Sequence, residues 1–167
     1  MALMNVNNVD KNNRGFSHYG LGKRNYKDAK IMENHIKELE VLTEKIIGKG
    51  ISRLLLIDDD QNFCQLLQGY FVRLGFKFDY ALTFETGLKK FEERKYQVAL
   101  IDIVLPNGDG LDLLSLLKEK SADVKLIITT GYPSLENQVR AMALGACGFI
   151  EKPIKLDELT EKVLRCL

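Results

Sequence analysis

The chain has 167 residues, enough for one domain of ordinary size and an extension. Hydrophobic residues make up 46% and charged residues 28%, the balance of a soluble globular protein and not of a disordered or membrane-embedded one. Lys and Arg number 24 against 23 Asp and Glu, and the net charge of +1 gives no global attraction to nucleic acid or an anionic membrane. No apolar run approaches the ~20 residues a membrane span requires, and the N-terminus lacks the apolar stretch of a signal peptide. A cytoplasmic protein is expected. Cys64, Cys147 and Cys166 are scattered without a CxxC pair or a nearby His, so buried thiols are expected instead of disulfides or zinc.

Residues 1–25 are rich in Asn and Gly and have no apolar period, so they read as a disordered tail. Residues 1–30 carry six Lys or Arg against Asp10 and Asp28, a local +4 that leaves −3 elsewhere. A short basic arm of this kind can bind polyanions, but it reads first as a solvated tail. Residues 26–47 read as a helix: Met32, Ile36, Leu39, Leu42 and Ile46 form one stripe, and Glu33 and Lys37 are spaced for an i,i+4 pair. Gly48-Lys49-Gly50 ends that helix and makes a hinge. This amphipathic helix can pack on its own domain, or pair as a short coiled coil over about two heptads. His35 within it reads as a solvated or packed side chain ahead of a phosphorelay histidine.

From Arg53 onward, strands and helices alternate. Arg53–Ile57 is a continuous apolar run, as expected of a strand buried on both faces of a parallel sheet. A helix follows, with Phe63, Leu66, Leu67, Tyr70, Phe71 and Leu74 on one stripe and Gly75 as its stop. Lys77–Ala81 reads as a strand and Phe84–Arg94 as a helix with Phe84, Leu88 and Phe91 inward. Gln97–Ile101 is a second fully buried strand, Leu111–Glu119 a helix and Val124–Thr129 a strand. Ser134–Leu144 is a helix capped near Ser134, Gly148–Ile150 a short strand, and Leu156–Cys166 a closing helix. Five strand–helix pairs with short loops predict an α/β fold, an all-parallel sheet with helices on both faces. In such sheets the active crevice lies at the carboxyl ends of the strands.

Those ends carry chemistry. The first strand ends in Asp58-Asp59-Asp60, the third in Asp102, the fourth in Thr129-Thr130-Gly131 and the fifth in Glu151-Lys152-Pro153. Singly, each residue has a bland reading: Asp60 is expected to be a helix cap, Lys152 a surface charge, and Thr130 an expression of β-propensity. Together they crowd carboxylates beside a hydroxyl and an ammonium. Clustered carboxylates repel unless a cation joins them, and Mg²⁺ suits an oxygen site that must also admit phosphate. One carboxylate can then attack a phosphoryl group to become an aspartyl phosphate. The equatorial oxygens of that group would meet Mg²⁺, the Lys152 ammonium and the Thr130 hydroxyl.

The segments LLLIDDD (Leu54–Asp60), ALIDIVLPNGDGLDLL (Ala99–Leu114), LIITTGYPS (Leu126–Ser134) and ACGFIEKPI (Ala146–Ile154) resemble, in order, the receiver domain of bacterial two-component response regulators. The resemblance spans roughly Arg53 to Cys166. It implies a five-stranded sheet of flavodoxin-like order 2-1-3-4-5, with the N-terminal helix as an extension. It divides the chain into a disordered tail (1–25), an amphipathic helix with its Gly hinge (26–50) and a receiver domain (51–167). It implies Asp102 as phosphoacceptor and metal ligand, Asp59 as a direct Mg²⁺ ligand, Asp58 as one acting mainly through water, and the Val104 carbonyl as a third ligand. Lys152 would pair with the phosphoryl group before a cis bond to Pro153. Thr130 would be the switch hydroxyl and Phe149 the switch aromatic, working through packing because it lacks the Tyr hydroxyl. Val104 and Tyr132, each two residues beyond a site residue, imply slow self-dephosphorylation.

By this resemblance the chain is a signalling phosphoacceptor and not a turnover enzyme. It would take its phosphoryl group from a histidine kinase or a His-phosphotransfer protein. The face made by helix 134–144, strand 148–150 and helix 156–166 would bind a downstream protein or a second copy, with no membrane or nucleic acid expected. Two other readings stand beside it. A degenerate receiver would act only as an interaction module. A haloacid-dehalogenase-type phosphohydrolase would use Asp58-x-Asp60, but Asn62 stands where it expects Thr or Val, and only single acids (Asp157, Glu158, Glu161) follow Lys152. With one helix after Lys152, the chain is expected to be a stand-alone receiver, a phosphorelay station, or a piece of a larger regulator or hybrid kinase.

Overall fold

The structure, a computed structural model, describes residues 52–167 together with Lys37, Val41 and Glu44, which are helical and exposed. The tail, the Met32–Ile46 stripe, the Glu33–Lys37 pairing, His35 and the glycine hinge lie outside the described residues. From Arg53 the elements run β1 (Arg53–Ile57), α1 (Gln61–Arg73), β2 (Lys77–Ala81), α2 (Phe84–Glu93), β3 (Val98–Asp102), β4 (Val104–Leu105), β5 (Gly108–Asp109), α3 (Gly110–Lys120), β6 (Lys125–Thr130), α4 (Leu135–Ala143), β7 (Gly148–Glu151) and α5 (Leu156–Cys166).

The five long strands form one sheet in the order β2-β1-β3-β6-β7, every pair parallel. This is the expected order 2-1-3-4-5. Every residue of β3 is buried, as is β1 from Leu54 onward, which is why these strands read as unbroken apolar runs. Alternate residues feed two cores. Leu55, Ile57, Ala99, Ile101, Leu126 and Ile128 face α2, α3 and α4, while Leu54, Leu56, Val98, Leu100 and Ile127 face α1 and α5. Fully burying a Leu or Ile stabilises by about 1.5–3 kcal/mol relative to exposure. That ladder can therefore hold polar groups at its end where solvation alone would not.

Local signals start and stop the helices. Asp60 caps α1 by accepting from the Phe63 amide at 3.0 Å, and Gly75, at φ 89°, turns the chain after its last turn. Ser134 caps α4 by accepting from the Asn137 amide at 3.0 Å. On α1 the buried face is Cys64, Leu67 and Phe71, and Leu66, expected on the inward stripe, is 55% exposed. Leu66 lies about 100° around the helix from Leu67, so it falls at the edge of the stripe and Cys64 takes the inward place.

The β4/β5 hairpin has no counterpart among the predicted elements. Two residues per strand are too few to show a period, and Asn107 (φ 64°) forms its turn. A second departure concerns the cysteines. Cys64 is a free, buried thiol, but Cys147 and Cys166 are joined in a disulfide, correcting the expectation of three thiols. Spacing could not show it, because β7 and α5 run back to back and bring residues 19 apart to a Cα–Cα distance of 6.0 Å. Thiol titration of the denatured, unreduced protein should therefore find Cys64 alone, and reduction should expose all three cysteines. Cys166→Ser should lower stability to urea by about 3 kcal/mol, the scale for a loop of this length.

Candidate functional site

The carboxyl ends of β1, β3, β6 and β7 converge on one edge of the sheet. Asp58, the residue after β1, is fully buried. Its Oδ1 accepts from the Asp60 amide at 3.0 Å. Its Oδ2 lies 2.7 Å from Lys152 Nζ, within ion-pair distance, yet misaligned so that this oxygen has no hydrogen bond. Burial pushes the Asp58 carboxyl above the usual carboxylate range, against the opposing pull of Lys152 and the Asp60 amide. Asp59 is exposed.

Asp102 closes β3 and is 5% exposed. Its Oδ1 accepts from the Val104 amide at 3.1 Å and its Oδ2 from Lys152 Nζ at 2.5 Å. Its backbone is pinned from behind: the Gly110 amide donates to the Ile103 carbonyl at 2.8 Å, and a Cβ on Gly110 would overlap the Asp102 carbonyl oxygen. Only glycine fits there. Sequence reasoning missed this contact, and its signal was the Gly108-Asp109-Gly110 run between a strand and a helix.

Lys152 follows β7, and its amide donates to the Thr130 carbonyl at 2.8 Å. The bond to Pro153 is cis, as expected. Burial disfavours the ammonium, but Asp102 and Asp58 outweigh burial and hold its pKa above the usual lysine range, so it stays charged. Thr130 is fully buried at the end of β6, its hydroxyl accepting from the Tyr132 amide at 3.0 Å. Phe149 on β7 is half-buried and packs against the core shared by α2, α3 and α4. Val104 and Tyr132 present exposed side chains.

One carboxylate oxygen from each of Asp58, Asp59 and Asp102 lies within 4.8 Å of the others. Three carboxylates against the Lys152 ammonium leave a charge of about −2, and Asp58 Oδ2, paired with that ammonium but making no aligned hydrogen bond, can also serve a cation. This all-oxygen set fits a hard divalent cation. Cys64, whose thiol donates to the Asp58 carbonyl, cannot serve as a nucleophile, because burial and the neighbouring acids push its pKa up to about 12. Sequence reasoning also missed a neighbour of the pocket. Phe63, assigned only to the core stripe, stands on the first turn of α1 with its ring beside Lys152.

Curated relatives share the region around this pocket. The photosynthetic apparatus regulatory protein RegA of Cereibacter sphaeroides is 32% identical over 111 residues, covering 66% of this chain and 60% of RegA. The chain thus spans less than two thirds of that relative's length. Among solved structures, a CheY-like receiver domain of Methanospirillum hungatei aligns with TM-score 0.68 and 34% identity, over 70% of this chain and 93% of that one. The response regulator TrrA of Thermotoga maritima, in complex with Mg²⁺–BeF, aligns with TM-score 0.64 and 32% identity, over 70% of this chain and all of that one (100%). The family model of the response regulator receiver domain matches residues 54–164, from β1 into α5, and the chain belongs to that family.

Proposed function

We propose that Asp102 accepts a phosphoryl group from a phosphohistidine of a histidine kinase or His-phosphotransfer protein, and that the domain relays this charge to a protein partner. The observation that supports it most is the single ammonium of Lys152 bridging Asp102 Oδ2 at 2.5 Å and Asp58 Oδ2 at 2.7 Å across three strand ends. Asp59, Asp102, the Val104 carbonyl and, mainly through water, Asp58 would hold Mg²⁺. The ion would supply positive charge to the equatorial phosphoryl oxygens.

An Asp102 carboxylate oxygen attacks phosphorus. The new O–P bond forms as the bond to the donor nitrogen breaks, and the electron pair leaves with the imidazole. Lys152 transfers its bond from the carboxylate to a phosphoryl oxygen. Thr130 gives up its contact with the Tyr132 amide and donates its hydroxyl to the same group, and Phe149 packs into the space it leaves. Two packings of one element are thereby biased by a phosphoryl dianion, which adds about one negative charge to that of the carboxylate it replaces. The face that responds is α4, β7 and α5, where Leu135, Val139 and Met142 expose apolar side chains suited to a downstream protein or a second copy. Residues 51–167 would form the receiver, 26–50 a helical extension and hinge, and 1–25 a tail. The chain modifies itself and does not turn over a substrate.

With a small acyl phosphate and Mg²⁺, intact-mass analysis should show one phosphoryl group on the wild type and none on Asp102→Asn. The label should persist for minutes or longer, because aliphatic Val104 offers no polar group to a hydrolytic water and Tyr132 is bulky; loss within seconds would contradict that role. In metal-free protein, Lys152→Met leaves the buried Asp58 charge uncompensated and should cost about 3 kcal/mol in urea unfolding. Adding Asp58→Asn should recover more than half.

A further inference from the structure

The Lys152 ammonium has three N–H donors. Asp102 Oδ2 and Asp58 Oδ2 account for two of its neighbours, at 2.5 and 2.7 Å. The third is neither a carboxylate nor a backbone oxygen: Lys152 Nζ lies 5.2 Å from the centroid of the Phe63 ring, inside the range where a cation is drawn to an aromatic face. We propose that Phe63 is a positioning residue for phosphoryl transfer, its ring holding the Lys152 ammonium over the phosphoacceptor. This rests on the assignment of Asp102 above.

The ring is well placed to be a fixed support. Phe63 is half-buried and packs against the core between α1 and α5. Its own amide is the one that Asp60 caps at 3.0 Å. The run Asp58-Asp59-Asp60 therefore supplies both the acids of the pocket and the cap that sets the helical turn carrying the ring. The two ends of Lys152 are thus anchored separately, its backbone on Thr130 and its ammonium against Phe63.

A ring face also differs from a carboxylate in what it permits. During transfer Lys152 must exchange a carboxylate oxygen for a phosphoryl oxygen. Carboxylate lone pairs are directional, and the ammonium leaves one as it moves. Attraction to an aromatic face varies gently with sideways displacement, so it persists through the exchange. An aliphatic side chain of similar bulk would fill the same space without that attraction.

The test combines a measurement on the wild type with three variants. In the wild type, the Lys152 ε-methylene protons should resonate upfield of those of exposed lysines, through the ring current of Phe63. Phe63→Leu should remove that shift and slow labelling by a small acyl phosphate by about threefold to tenfold, the scale of a cation–π contact. Phe63→Tyr and Phe63→Trp should retain the shift and label at near wild-type rates, which a role in packing alone would not produce. An unshifted Lys152 in the wild type, or Phe63→Leu labelling at the wild-type rate, would overturn the inference while leaving Asp102 as acceptor. Failure of the wild type itself to label would overturn the acceptor assignment, and the inference with it.

Discussion

A single ammonium among three carboxylates is the constraint around which this end of the molecule is organised. Asp58 is fully buried, Asp102 nearly so, and Asp59 completes a cluster whose oxygens lie within 4.8 Å of one another. Three carboxylates make three repulsive pairs, each on the order of 4 kcal/mol at 4 Å and an effective dielectric of 20. Lys152 supplies two attractive contacts, at 2.5 and 2.7 Å, and leaves the pocket about two charges short of balance. A divalent cation and an incoming dianion are the natural additions to such a pocket. The positive ion lowers the repulsion, and with it bound a phosphoryl group can approach.

The rest of the fold explains how an unfavourable cluster survives. Its acids end the most deeply buried strands, β1 and β3, where apolar ladders on both faces fix the backbone. Gly110 packs directly on the Asp102 carbonyl, and Asp60 caps the helix that begins beside Asp58. On the far side, the Lys152 amide is tied to the Thr130 carbonyl, so the ammonium and the proposed switch hydroxyl belong to adjoining strand ends. Displacing Thr130 therefore acts on β6 and β7 together, which is how a charge at Asp102 can reach the exposed apolar side chains of α4.

Much of this was legible in the sequence because the governing patterns are local. Buried parallel strands read as apolar runs, and Asp58, Asp59, Asp102, Thr130 and Lys152 each follow or end one. β1, β2 and α5 carry their expected bounds, while β3 and β6 each shift by one residue, their pairing running past the apolar stretch into Asp102 and Thr130. What stayed hidden depends on tertiary proximity. The Cys147–Cys166 bond joins the bend before β7 to the end of α5, which only the fold brings together. The place of Phe63 beside Lys152 joins positions far apart in the chain, and its helical period is identical to that of an ordinary core residue. The two-residue strands around Asn107 are shorter than any periodicity can reveal.

Phosphorylation is proposed to act by changing which oxygen Lys152 and Thr130 hold, so the identity of the modified residue is the claim on which everything downstream turns. The direct measurement is to treat full-length protein with a small acyl phosphate and Mg²⁺, reduce it with borohydride, and sequence the peptides by tandem mass spectrometry. An aspartyl phosphate at Asp102 would be converted to homoserine at position 102 alone. Homoserine at position 58 or 59, or unmodified Asp102 in protein that carries the label, would contradict it.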